Sequence, residues 1–600
     1  MMERRTFLKA LAALPLVSGL MPSASAGGIP SFRRVRPGEP GWPDPTEWST
    51  LSKSVGGRLT KVESPFVECA NTPAGAACTD LFQGLGNPFF IGDNVALTQT
   101  LGWTDAWTSQ PSVYAVLAQS SADVAAAVNF ARQHRLRLVV KGGGHSYLGG
   151  SNARDSLLIW TRDMRTIELV DSFVPQGGHG RAAPEPAVRV GTGARWLEAY
   201  EAVTTQAGRY VQGGGCTTVG VAGLVLGGGF GSLSKGFGTG AANLLEAEVV
   251  TADGAVRNAN AFTNPDLFWA LKGGGGGSFG VVTRLTLRTH ELPDYIGEVR
   301  AKVTAGSDAA YRALTEQMVS FYRANLMNPH WGEQISFQER QLSISMVFQG
   351  LDQAQAKQTW TPFFDWVTAR PADYTLTDQA VLAVPARDFW NPAVLGSLPG
   401  IIHGDDRLGA PKSNFFWANN ADEAGQVLHS YQSTWLSQRL LAPQHQSALV
   451  DALVRASQSW QVTLHCNKGL AGAPASVMAW TADTATNPAV LDAFALAIAA
   501  ANEPPAYPRV AGHEPNVGQG RQEARLVDAA MAPLKALAPQ PGSYVSETDY
   551  FQTDWQSAFW GDHYGRLKKV KERYDPNGLF FVHHGVGSEG WSSDGFTQIS

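Results

Sequence analysis

Charge is scarce in this chain. Asp, Glu, Lys and Arg make up 16% of 600 residues, and the formal net charge is −5. No basic excess exists that would form a nucleic-acid footprint. Cysteine is scarcer still, with four residues, Cys69, Cys78, Cys216 and Cys466. That is too few for a disulfide-built scaffold. Beyond the N-terminus no run of about 18 uninterrupted apolar residues appears, so no membrane span is expected in the body of the chain. The usual nucleotide signatures are missing too: there is no Walker pattern, and no GxGxxG follows a first strand. No internal repeat is evident, and no metal site is expected.

Glycine, by contrast, is abundant. The chain has 64 glycines, well above the usual share of about 7%. Many sit in runs, at 142–144, 213–215, 227–229 and 273–277. Such clusters mark backbone that turns tightly or approaches a ligand closely. A hydrophobic content of 44% is that of a globular chain, and the length calls for two or more lobes. Residues 1–26 read as an address. Arg4-Arg5-Thr6-Phe7-Leu8-Lys9 resembles a twin-arginine signal, a short apolar stretch follows, and Ala24-Ser25-Ala26 offers a cleavage site. The alternative is an uncleaved N-terminal anchor. The expectation is a periplasmic or secreted protein, in which Cys69 and Cys78 pair. Cys466 reads as a buried small hydrophobe, whereas Cys216 directly follows three glycines.

After a Pro-, Gly- and aromatic-rich extension at 27–108, an α+β pattern occupies 109–292. Ser121 is placed to cap a helix whose face carries Val124, Ala127, Val128 and Ala131. Strands are expected at 135–140, 157–160, 188–190, 247–251 and 281–287, with helices at 196–207 and from Pro265. A second lobe is expected at 293–540, with helices at 312–324 and 490–501 and a strand at 342–348. A final segment at 541–600 holds a helix-like run, His563–Tyr574, followed by Asp575-Pro576-Asn577-Gly578.

Glycine-rich loops present backbone N–H groups to a ligand without side chains in the way. Two of these loops carry a reactive side chain: Gly142-Gly143-Gly144-His145-Ser146-Tyr147 and Gly215-Cys216-Thr217-Thr218-Val219-Gly220. Together with Gly223, Gly227-Gly228-Gly229-Phe230-Gly231, the stretch Asp266–Gly275 through Phe279-Gly280-Val281, and Tyr574–Phe580, they resemble the FAD-linked oxidases of the vanillyl-alcohol-oxidase type. More specifically, they resemble the berberine-bridge-enzyme-like branch, nearest its isoamyl-alcohol-oxidase-like members. The resemblance implies a two-lobed α+β protein with a PCMH-type FAD-binding domain, a substrate-binding lobe and a C-terminal segment that returns to the flavin domain. It also implies FAD attached covalently through His145 and Cys216. The implied cofactor contacts are Gly142, Gly143, Gly144, Ser146, Thr218, Val219, Gly220, Gly223, Gly228, Gly229, Gly280, Val281 and Asn577.

Three departures from the branch pattern bear on the chemistry. Thr217 stands where the branch has Pro. Phe230 stands where a Tyr is common. Glu547, in Tyr544-Val545-Ser546-Glu547-Thr548-Asp549, stands where the branch has a substrate-side Tyr. Glu547 is therefore either a general base or one half of an ion pair with a Lys or Arg of the Arg566–Lys571 run. Tyr147 is the second catalytic candidate, and His465, Asn467 and Lys468 are further candidates from the second lobe. Val219 matches the branch residue that goes with dioxygen access. The implied function is oxidation of a small alcohol-type substrate with dioxygen as acceptor. A dehydrogenase serving a quinone or cytochrome, and a secreted flavin-containing binding protein, are the alternatives. Folded-state export through the twin-arginine route suits a protein that takes up its cofactor before leaving the cytoplasm.

Overall fold

The computed structural model describes residues 32–538 and 542–599; the export signal expected at residues 1–26 lies outside them. Among the described residues the strands form four sheets. The first runs in the order Leu59–Lys61, Tyr114–Leu117, Ser156–Trp160, Arg137–Lys141. Its last three strands are parallel, and Leu138, Leu157, Leu158 and Ile159 are buried within it. Burial on both faces explains why these strands read as continuous apolar runs. The helix Ser121–Gln133 packs here through Val124, Ala127, Val128 and Ala131. Its cap is Ser120 rather than Ser121, because the Ser120 hydroxyl accepts the Asp123 N–H. A second sheet of six strands, built mainly from Leu244–Val250, Val281–Glu291 and Glu185–Gly191, completes the first lobe.

The second lobe is dominated by a nine-stranded sheet. Along Gln341–Gln349 burial alternates residue by residue. Leu342, Ile344, Met346 and Phe348 point into a core shared with the helices Asp308–Phe321, Gln353–Thr368, Pro443–Ser459 and Val517–Lys535. Ser345 and Val347 point the other way, into a cavity, as the two-residue period of a strand requires.

One sequence expectation fails here. The alanine-rich run expected to be a helix at 490–501 is the strand Ala493–Glu503, in an interior position of this sheet. Its first seven residues are all buried. Burial on both faces favours an unbroken apolar strand and overrides the helix propensity of alanine. The extension at 27–108 packs on both lobes through paired strands. Thr100–Trp103 pairs in parallel with Gln426–Ser437 of the large sheet, and Leu59–Lys61 pairs with Tyr114–Leu117 of the first.

The C-terminal segment returns to the first lobe as expected. The Lys571 ammonium donates to the carbonyls of Ser278 and Phe580 and pairs with Asp575. The buried Arg137 guanidinium donates to the Phe581 carbonyl. Cys69 and Cys78 are joined in a disulfide, and Cys466 is buried.

Candidate active site

Between the glycine loops and the open face of the large sheet lies a cavity of about 770 Å³, within the range of about 300–1,000 Å³ typical of small-molecule and cofactor sites. The strand Arg137–Lys141 ends at its wall and delivers the 142–147 loop. The buried Lys141 ammonium donates to the carbonyls of Val95 and Leu97 at 2.6 and 2.9 Å, which fixes the loop against the N-terminal extension. The second loop is held by Trp196 and Leu197, whose N–H groups donate to Val219 and Thr217 carbonyls.

The two loops meet backbone to backbone. A Cβ on Gly143 would stand 2.5 Å from the Gly220 nitrogen, and one on Gly220 would stand 2.7 Å from the Gly143 nitrogen. Glycine is therefore required at both positions by close approach. This contact brings His145 and Cys216 to one place. Thr218 Oγ1 lies 3.2 Å from His145 Nε2 and 3.6 Å from Cys216 Sγ. Burial, reinforced by the Arg195 charge, lowers the imidazole to about 3, so His145 is neutral. Burial, with the Glu423 charge second, pushes the Cys216 thiol up to about 11. Thr217 uses its hydroxyl to donate to the Phe415 carbonyl at 2.8 Å. Trp417 Nε1 donates to the Gly215 carbonyl at 2.8 Å. The cysteine loop is thus bound to the second lobe as well as the first.

The far side of the cavity carries acid–base groups. Glu547 is an ion-paired residue, and its partner is Lys468. The expected partner run, Arg566–Lys571, is engaged elsewhere, with Lys571 on Asp575. His465, Asn467 and Lys468 all line the cavity, as do Tyr147, Val219 and Glu547. Tyr147 packs against Tyr431 with ring centroids 5.1 Å apart. Burial, followed by nearby carboxylates, raises both phenols well above 10, so both stay protonated. Phe230 stacks edge-on with Tyr544, whose hydroxyl accepts the Gly229 N–H.

Two carboxyls here have no sequence motif. Glu333 accepts from Ser232 and from Asn467, and burial raises its pKa. Its φ of 66° is a strained value for a non-glycine residue in a strand. Glu423 accepts from Asn420 at 2.9 Å, and burial raises it to about 7. Tyr431 completes the group missed in the sequence. A glutamate at a strand bend and a tyrosine mid-strand leave no local signal.

The residues expected to contact the cofactor fall in several places. Gly142, Gly143, Gly144, Ser146, Val219, Gly220, Gly223 and Gly280 line the cavity. Thr218 lies behind it, against His145. Gly228 and Gly229 pack instead on Thr486, Tyr544 and Leu224. Val281 belongs to the hydrophobic core. Asn577 is exposed in the turn after the last long helix.

The cavity suits a large polar cofactor. Thr192 Oγ1, Ser278 Oγ, His584 Nδ1 and Asn467 Oδ1 are buried at its wall without a protein partner. Buried polar atoms are normally satisfied, and a ligand rich in hydroxyl, amide and phosphate groups would satisfy them.

Comparison with known proteins agrees with this. Residues 112–260 match the FAD binding domain family, and residues 543–587 match the berberine and berberine-like family. The chain is 29% identical to the FAD-linked oxidoreductase ZEB1 of Gibberella zeae, over 93% of each chain. It resembles the crystal structure of the VAO-type flavoprotein MtVAO615 from Myceliophthora thermophila C1 with a TM-score of 0.76 at 25% identity, covering 94% of this chain and 99% of that one. The glucooligosaccharide oxidase of Acremonium strictum, described with a 6-S-cysteinyl, 8α-N1-histidyl FAD, shares the fold. There the TM-score is 0.60 at 21% identity, covering 82% and 94% of the two chains. The chain is an enzyme, an FAD-linked oxidoreductase built on the α+β fold of the VAO-type flavoproteins, with an FAD-binding domain and a berberine-like C-terminal segment.

Proposed function

We propose that this enzyme is an oxidase of a small alcohol-type substrate, with FAD attached at both His145 and Cys216 and dioxygen as acceptor. The observation that carries the reading is the joint placement of the two side chains. One threonine hydroxyl touches both, and both open onto the cavity that holds Glu547 and Lys468. When bound, FAD supplies a two-electron acceptor in that cavity and is returned to its oxidised form by dioxygen, with release of hydrogen peroxide.

The chain's own residues handle the proton. Glu547 accepts the substrate hydroxyl proton, and Lys468 holds the carboxylate in position through their ion pair. Tyr147 and Tyr431, kept protonated by burial, donate hydrogen bonds to the substrate oxygen. Val219, at the cavity wall, leaves room for dioxygen. The branch resemblance and the disulfide Cys69–Cys78 support export to an oxidising compartment, directed by Arg4-Arg5.

The test is anaerobic bleaching of the purified holoenzyme against a panel of alcohols, sugars and phenols, followed by air and a peroxide assay. Bleaching by an alcohol with stoichiometric peroxide is expected. Dye reduction without peroxide would replace the oxidase by a dehydrogenase, and no bleaching by any alcohol would remove the substrate class. Peptide mass analysis decides the two attachments, and replacement of Arg4 and Arg5 by Lys should hold the protein in the cytoplasm.

A further inference from the structure

Behind the main cavity lies a second, much smaller one of about 10 Å³, the room needed by about one water molecule. It is bordered by nine residues, including His145, Cys216, Thr218, Asn420 and Glu423. His145, Cys216, Asn420 and Glu423 also line the large cavity, so the small void lies directly against the two side chains proposed to carry FAD. Glu423 takes no part in the proton transfer assigned to Glu547, and no cation pairs with it among the described residues. A half-buried carboxyl at this spot calls for a reason.

We propose that Glu423 is the proton acceptor for the enzyme's own covalent attachment of FAD at Cys216, reached through one water in the small cavity. The inference rests on the two-point attachment proposed above. A thiol is a poor nucleophile until it loses its proton, and burial holds that of Cys216 to about 11. Of the nine bordering residues, His145 and Glu423 alone can take a proton at neutral pH or below. His145 is held near 3 and is itself an attachment point. Glu423, at about 7, is matched to the task. Asn420 holds one of its oxygens at 2.9 Å. The hydroxyl of Thr218, between Sγ and Nε2, orients both nucleophiles.

The step balances as follows. A bond forms between Sγ and C6 of the flavin ring. The thiol proton passes to Glu423, and the hydrogen on C6 leaves as a proton. The ring takes up the electron pair of the new linkage, and dioxygen removes it as hydrogen peroxide. One thiol hydrogen and one ring hydrogen thus leave with one dioxygen for each S–C bond made.

The test uses full-length protein produced under riboflavin starvation, then given FAD and air. FAD on the Cys216 and His145 peptides is followed over time by mass spectrometry, separately from turnover. Glu423→Gln is expected to slow Cys216 attachment at least tenfold while His145 attachment proceeds, and Glu423→Asp is expected to recover most of the rate. In the wild type the Cys216 rate should rise through about pH 7 and then level. The charged groups facing Glu423 are Asp422, Glu547 and Lys468, and Glu547→Gln should move that midpoint down by easing the repulsion. Wild-type kinetics in Glu423→Gln, or equal slowing in Gln and Asp variants, would overturn the proposal. If Glu423→Gln fails to hold FAD at all, the wild-type profile decides, and a rate flat from pH 5 to 9 refutes it. Absence of FAD from the wild-type Cys216 peptide would instead sink the two-point reading, and this inference with it.

Discussion

Adding one methyl group at Gly143 tests whether the two glycine loops act as a clamp. In Gly143→Ala the new Cβ would stand 2.5 Å from the Gly220 nitrogen and 3.0 Å from its Cα. Ordinary contact begins at 3.4 Å, so the loops must part by about 0.9 Å. Neither neighbour is a flexible side chain that can swing away. Both belong to a backbone pinned by the hydrogen bonds of Val221 to Ala194 and of Trp196 to Val219. Overpacking in such a place costs about 1–3 kcal/mol, and backbone against backbone belongs at the upper end. At about 3 kcal/mol the closed arrangement loses roughly a hundredfold in population. A displacement near 1 Å costs a similar factor in reactions that depend on alignment, and it would separate Cys216 from His145 across Thr218. The expected result is a roughly hundredfold slower appearance of bicovalent FAD, measured as flavin retained in acid-precipitated protein. Gly220→Ala should behave alike, and the double variant should cost less than the sum, because one parting relieves both clashes. Gly565→Ala, exposed in a helix with open space at its Cβ, is the control and should stabilise by about 0.5–1 kcal/mol. Full and prompt flavin attachment in Gly143→Ala would refute the clamp.

Further outcomes follow from the same geometry. Glu547→Gln should lower kcat by about 10²–10⁴ with flavin content unchanged, and adding Lys468→Met should cost little more; full activity would return Glu547 to a structural role. Glu423 is held at about 7 in the folded chain against about 4.3 unfolded, so the folded state binds its proton more tightly. Its stabilising contribution is complete below about pH 4.5, falls as pH rises to 7, and is then flat. The loss amounts to about 3 kcal/mol, so Glu423→Gln should gain on the wild type by that amount between pH 4 and 8 in chemical denaturation; parallel profiles would contradict the assignment. Cys78→Ser opens a disulfide spanning nine residues, worth about 2–3 kcal/mol by loop closure. Because the bridge lies in a separate hydrophobic cluster, the melting temperature should drop with room-temperature kcat intact.

What the sequence revealed, and what it hid, divides along a physical line. The two glycine loops that bring His145 and Cys216 to one cavity were legible because close backbone approach imposes glycine locally, so the contact and its signal share one short stretch. At Gly228 and Gly229 an added Cβ would meet Tyr544, Leu224 and Thr486. Close packing of protein on protein and close packing on a ligand demand the same residue. The turn that carries Asn577 is held by Asp575, which accepts from Leu579 and Phe580 and pairs with Lys571. The strand at Ala493–Glu503 was misread because alanine carries a helix preference that burial on both faces overrules.

Glu333, Glu423 and Tyr431 had no such local mark. They come from the strand Trp331–Gln338, the turn Ala418–Glu423 and the strand Gln426–Ser437, and the large sheet and its connections bring them to one cavity with Lys468 and Glu547. Nothing within a few residues of Glu423 announces it. Its meaning arises from the small void it shares with Cys216, more than 200 residues away in the chain. Thr217 shows how the two kinds of signal join. As a departure from a motif it is silent, but its hydroxyl donates to Phe415, a few residues before Glu423. The loop that carries the cysteine is thereby fastened to the segment that carries the base. If that fastening sets their spacing, Thr217→Val should slow attachment at Cys216 without touching attachment at His145, which rides on the other loop.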